Sequence, residues 1–192
     1  MNLSAAEAFL WNLLEQELPH NLYYHGVHHI RDVVAAATRL AEAEGVTGQE
    51  DLKLLHTAAL YHDCGFISTY QQHEEAGCHI VEANLPEFGY EPYQIEVICD
   101  MIRATKVPQD PLTHLEKILC DADLDYLGRP DFESIADTLF RELSERHLVP
   151  DRDTWNDIQI RFLKAHRYWT DTAIATRQPG KQQHLQQLLD AL

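Results

Sequence analysis

Apolar residues recur along the chain at three- and four-residue intervals, and no segment alternates as a half-buried strand would, so the pattern predicts an all-α protein. Phe9, Leu10, Leu13, Leu14 and Leu18 form one helical face that Pro19 stops, and Ser4 with Glu7 three residues on has the spacing of a capping box. A second helix spans about His28 to Glu44, with Val33, Val34, Ala37, Leu40 and Ala41 inward and Gly45 as its stop. Thr47 and Glu50 repeat the capping spacing and open a third helix, which ends at Tyr61-His62-Asp63. Further helices are expected over about Gln72 to Asn84, from Pro92 through Ile102, and from Leu112 to Leu127. Two longer ones follow, about Asp131 to Glu145 and Asp153 to Arg177, before a short amphipathic tail from Lys181 to Leu192. No repeat or linker breaks the series, and 192 residues suit a single-domain helical bundle whose helices from Asp131 onward complete the core.

Two of these stripes end in chemistry instead of hydrocarbon. Leu52, Leu55, Ala59 and Asp63 share one face of the third helix, so its apolar stripe terminates in a carboxylate. A buried carboxylate is costly unless something pairs with it, and a metal ion is one such partner. His29 lies on the stripe of Val33 and Leu40, whereas His28 points about a quarter turn outward; His25 precedes His29 by one helical turn. Near the end of the Leu112–Leu127 helix, Leu115, Leu119, Ala122 and Tyr126 define an inner face. Asp121 then points most nearly outward, and the spacing leaves Asp123 and Asp125 flanking the stripe without choosing between them.

Composition narrows the chemistry. The net charge of −16 and scattered basic residues argue against gripping polymeric nucleic acid or an anionic membrane, while a small phosphorylated ligand remains compatible. Eight of the twelve histidines fall between His20 and His79, a bias toward metal binding. The four cysteines form no Cys-x-x-Cys and read as reduced core thiols. No apolar run is long enough to span a bilayer, and the first residues lack the pattern of an export signal, so a cytoplasmic location is expected. Two histidines and two carboxylates with open positions suit a divalent transition metal: Mn, Zn, Fe, Co or Ni.

Tyr24-His25-x-x-x-His29, Ala59-Leu60-Tyr61-His62-Asp63-Cys64-Gly65, His73-Glu74-x-x-Gly77 and Asp121-Ala122-Asp123-Leu124 resemble, in order and spacing, the H…HD…D signature of the HD-domain superfamily of metal-dependent phosphohydrolases. The resemblance covers about residues 21–129 and implies a bundle of the HD-domain type. Carried over by position, His29, His62, Asp63 and Asp123 match the metal ligands, and His25 matches the histidine that protonates the leaving oxygen in the cyclic-nucleotide phosphodiesterase branch. That branch has Asn after the histidine where this chain has Gly26. Members with two metals add two histidines after the His-Asp pair; here only His73 is so placed, and 102–105 carries none, so a second metal is not expected. His73 and Glu74 are then expected beside the metal or facing substrate, with Arg103, Lys106 and Arg129 as candidate phosphate contacts. The implied function is hydrolysis of a phosphomonoester or phosphodiester of a nucleotide-like small molecule through a metal-activated water, with Asp63 and His25 as the catalytic pair. The alternatives are a non-catalytic nucleotide-sensing or interaction module and, less favoured, a di-iron oxygenase. A homodimer surface on the C-terminal helices is the lesser reading of their apolar faces.

Overall fold

The computed structural model describes residues 1–191; Leu192, the last residue of the expected tail, lies outside the described residues. Nine α-helices account for the described fold: α1 Leu3–Glu17, α2 Val27–Ala43, α3 Gln49–Tyr61, α4 His73–Asn84, α5 Pro92–Ala104, α6 His114–Asp123, α7 Phe132–Glu145, α8 Arg152–Ala165 and α9 Asp171–Asp190. Short 3-10 turns at Cys64–Ile67, Leu85–Phe88 and Asp125–Gly128 join them, and no strand occurs among the described residues. The all-α expectation holds.

Helices α2, α3, α5 and α6 pack around one another, and α4 closes on α5 and on the turn after Asp63. Ile30, Val33, Ala37 and Leu40 of α2 meet Leu55, Ala58, Ala59 of α3 and Ile118, Leu119 of α6 in the apolar cluster. Helix α1 is tied across α3 by the Tyr61 hydroxyl, which donates to the Ala6 carbonyl at 2.8 Å.

Several termini differ from expectation. Asn2, not Ser4, caps α1 by accepting from the Ala5 amide at 3.2 Å. Helix α3 starts after Gly48 with no side-chain cap, so Thr47 and Glu50 do not form a box. The segment 112–127 is not one helix: Thr113 and Glu116 cap α6 reciprocally, and it ends at Asp123 before a tighter turn. The segment 153–177 is likewise divided. Residues 166–170 leave the helix because the Asp121 carboxylate accepts from the amides of Trp169 at 2.9 Å and Thr170 at 2.8 Å, and from the Thr170 hydroxyl at 2.7 Å. Thr170 then caps α9, which runs through Pro179 and Gly180 into the expected tail. Asp121 is accordingly fully buried, correcting its outward placement. A methyl added to Gly180 would meet the Gly128 carbonyl at 2.2 Å, so α9 crosses the turn after α6 backbone to backbone.

Candidate metal centre

The centre assembles where α2, the end of α3 and the end of α6 converge. His29 reaches it from the first turns of α2, its ring 4.6 Å from that of buried Tyr24. His62 follows the last residue of α3, still in helical conformation, and Asp63 leaves the helix with φ −106° and ψ 4°. The turn that follows can press onto α4 only because residue 65 is glycine: a Cβ there would lie 1.8 Å from the His73 carbonyl oxygen. This approach sets His73 beside Asp63, with Nε2 3.4 Å from Oδ1.

The His29 Nε2 stands 3.0 Å from Asp123 Oδ1, 3.4 Å from His62 Nε2 and 3.5 Å from Asp63 Oδ2. The His62 Nε2 stands 3.2 Å from Asp63 Oδ2 and 3.5 Å from Asp123 Oδ1. Ligand atoms held at about 2.0–2.1 Å from one ion lie about 2.8–3.4 Å apart, the lower value for octahedral and the upper for tetrahedral angles. The observed separations, from 3.0 to 3.5 Å, lie at the upper end of that range. His62 is held in the required tautomer, since its Nδ1–H donates to the Ala59 carbonyl at 2.9 Å and leaves the Nε2 lone pair facing the cluster. Asp63 Oδ2 is buried and receives no hydrogen bond among the described residues, although two ring nitrogens crowd it. Such an atom is expensive to bury unless a cation neutralises it.

Electrostatics agree with the geometry. Burial opposes a charged imidazole, yet the Asp63 and Asp123 carboxylates hold His62 well above the usual histidine range. Burial would also raise the two carboxyls, but His62 and His73 hold Asp63 well below the usual carboxylate range, and His29 and His62 bring Asp123 down to about 2. The pocket therefore demands positive charge at its centre, which a divalent ion would supply with both histidines neutral. His29, His62 and Asp123 form a compact potential ligand group, and Asp63 completes a four-residue set.

The three acids of α6 and its following turn take separate tasks. Asp121 anchors the connection into α9, and Asp125 is clamped by Arg39 at 2.8 Å and by Arg177 at 2.8 and 3.1 Å. Asp123 is the one beside the histidines. Arg103 does not reach the centre; it makes a two-pronged pair with Glu75 at 2.8 and 3.0 Å on the surface. Arg129 is likewise engaged by Asp32 and Asp131. Lys106, His73 and Glu74 do line the cavity that opens from the cluster.

One residue escaped the sequence reading. Glu142 of α7 is fully buried and accepts from His25 Nδ1 at 2.6 Å, the Tyr70 hydroxyl at 2.8 Å, and the amides of Tyr24 at 2.8 Å and His25 at 3.2 Å. Burial would raise its carboxyl, but the His25 interactions and the Tyr24 amide bring it below the usual range, so it stays ionised. His25 is thereby oriented with Nδ1–H toward Glu142, its ring stacked on Phe66 and 6.1 Å from the rings of His29 and His73. A signal existed: Ile135, Leu139, Glu142 and Leu143 share one helical face, so Glu142 is an acid on an apolar stripe, as Asp63 is.

The cavity holds about 490 Å³ and touches His25, Asp63 and Asp123 on one side and helices α7 and α8 on the other. No helix among the described residues is long and apolar enough to cross a membrane. Comparison with curated proteins and with solved structures finds no match for this chain. The model of the HD domain matches residues 26–125, which hold His29, His62, Asp63 and Asp123 in the order just described. With that stretch spanning half of its residues, the chain belongs to the HD domain family.

Proposed function

We propose that the protein is a metal-dependent phosphohydrolase acting on a phosphomonoester or phosphodiester of a small molecule, with nucleotide esters as the first class to assay. The observation that carries this reading is the orphaned Asp63 Oδ2, buried among His29 Nε2, His62 Nε2 and the Asp123 carboxylate at ion-binding separations. A single divalent transition metal held by these four residues would lower the pKa of a water and polarise a phosphoryl oxygen. Lys106 on the cavity wall supplies a further positive charge for phosphate oxygens.

His25 carries the proton. Glu142 fixes its Nδ1–H, so Nε2 is the nitrogen left to take up a proton and hand it to the leaving oxygen. As a water oxygen bonds to phosphorus, the bond from phosphorus to the leaving oxygen breaks and that oxygen accepts the Nε2 proton. The protons lost by the water pass to solvent, from which Nε2 is recharged. The products are an alcohol with phosphate, or an alcohol with a phosphomonoester.

The test is elemental analysis of the chain purified without an affinity tag, alongside Asp63→Ala, followed by a panel of phosphomonoesters and phosphodiesters with Mn, Zn, Co and Ni. About one metal per native chain, none in the variant, and turnover of at least one ester support the reading. A metal-loaded chain that turns over no ester refutes it.

A further inference from the structure

Beyond the metal cluster, the cavity changes character. Its far wall is built by Leu139 and Leu143 of α7 with Trp155, Ile158, Phe162 and Leu163 of α8, interrupted by the Gln159 amide, and Lys106 is the only lysine or arginine on the whole lining among the described residues. The far wall lies outside the stretch matched as HD domain. We infer that this wall receives an apolar substrate body, so that the preferred substrate is a phosphoester of a hydrocarbon-rich alcohol instead of a nucleoside. The inference rests on the hydrolase reading of the same cavity.

The physical argument is one of matching. A buried nucleobase brings several edge donors and acceptors, each needing a partner once water is displaced, and on this wall only the Gln159 amide and the Trp155 indole N–H could pair with them. An alkyl, prenyl or aryl body needs only to fill the space, and each methylene moved from water into such a wall favours binding about fourfold. The volume is ample, since about 490 Å³ sits within the range of sites for whole small molecules. The ionisable groups gather at the opposite end, where His25, Asp63, His73, Glu74 and Asp123 meet the cavity, so one ligand with a charged head and an apolar body satisfies both ends.

Two series separate this inference from the reading beneath it. Straight-chain alkylphosphonates, which have no hydrolysable ester bond, are titrated into the protein by calorimetry at two temperatures. Affinity should rise about two- to fourfold per added methylene before levelling off, with an increasingly negative heat-capacity change. In parallel, kcat/KM is compared for nucleoside monophosphates and alkyl or aryl phosphates, with the apolar esters expected to lead by at least tenfold. Ile158→Asn, on the far wall, should flatten the phosphonate series. If Ile158→Asn fails to fold, the native chain's two series still decide the matter. Flat phosphonate affinity together with preferred turnover of nucleotides overturns the inference and leaves the hydrolase reading standing. A rising phosphonate series with no turnover of any ester upholds the apolar wall and refutes the hydrolase.

Discussion

Replacing Glu142 with Gln separates an orienting role in proton transfer from a purely structural one. In the native arrangement Oε2 accepts from two backbone amides, which can only donate, and Oε1 accepts from His25 Nδ1 and the Tyr70 hydroxyl. The single oxygen of a glutamine goes to the amides, because leaving two buried N–H groups unpaired costs most. Its NH₂ then faces His25 and Tyr70. The tyrosine hydroxyl can turn to accept, but His25 must accept at Nδ1, which moves the neutral ring's proton to Nε2 and removes the lone pair that is to be recharged. One charge-assisted pair is lost and the ring is repolarised, a cost of about 1–3 kcal/mol. For a chain of this length that lowers the melting temperature by about 2–4 °C per kcal/mol. The kinetic effect depends on the leaving group. An ester of an aliphatic alcohol, which must be protonated as it departs, should lose about 10²- to 10⁴-fold in kcat. A p-nitrophenyl ester, whose leaving group departs as an anion, should lose far less. Equal losses for both esters at matched metal content would refute the proton-transfer argument and leave Glu142 a structural support.

Asp123→Asn should abolish metal binding and lower melting about as far as stripping the metal from the native chain does, whereas Asp125→Asn, which leaves Arg39 and Arg177 facing a neutral group, should keep the metal and lose about 3 kcal/mol, read by urea unfolding. Burial pushes Asp121 up to about 6 despite its three donors, so its contribution to stability is complete below the ordinary aspartate range and is lost as pH rises through about 6. The stability gap between native protein and Asp121→Asn should therefore narrow from pH 4 to pH 7 by up to about 3 kcal/mol; a constant gap across that window would contradict the placement. Gly65→Ala should push the 64–67 turn off α4, costing at least about 1–3 kcal/mol and weakening metal affinity because Asp63 precedes the displaced turn.

The local part of the site was readable because it is carried by helical spacing. Asp63 ends the α3 stripe, His29 sits on the α2 stripe, and both point where the spacing says. The role of each α6 acid was not readable, because it is set by partners far along the chain: Trp169 and Thr170 for Asp121, Arg39 and Arg177 for Asp125. The break between α8 and α9 was missed for the same reason. No proline or glycine marks it, and the helix yields there to the hydrogen bonds offered by a buried carboxylate 48 residues upstream. Pro179 and Gly180 invite a stop, yet α9 continues, since the glycine is needed for the crossing over Gly128. Glu142 reaches His25 across 117 residues, a separation that spacing rules do not span even though its place on an apolar stripe was visible.

The cavity draws its walls from two stretches of the chain that meet only in the folded protein: residues 24–127 supply the end beside the histidine and aspartate cluster and 132–163 the apolar end. Exchanges of one apolar side chain for another along α7 and α8 can therefore reshape what is accepted while the ion-holding cluster stays intact. Glu142 limits that freedom, because the helix that would be varied also carries the carboxylate that orients His25. Laboratory retargeting of this protein would accordingly vary α8 freely and hold one position of α7 fixed.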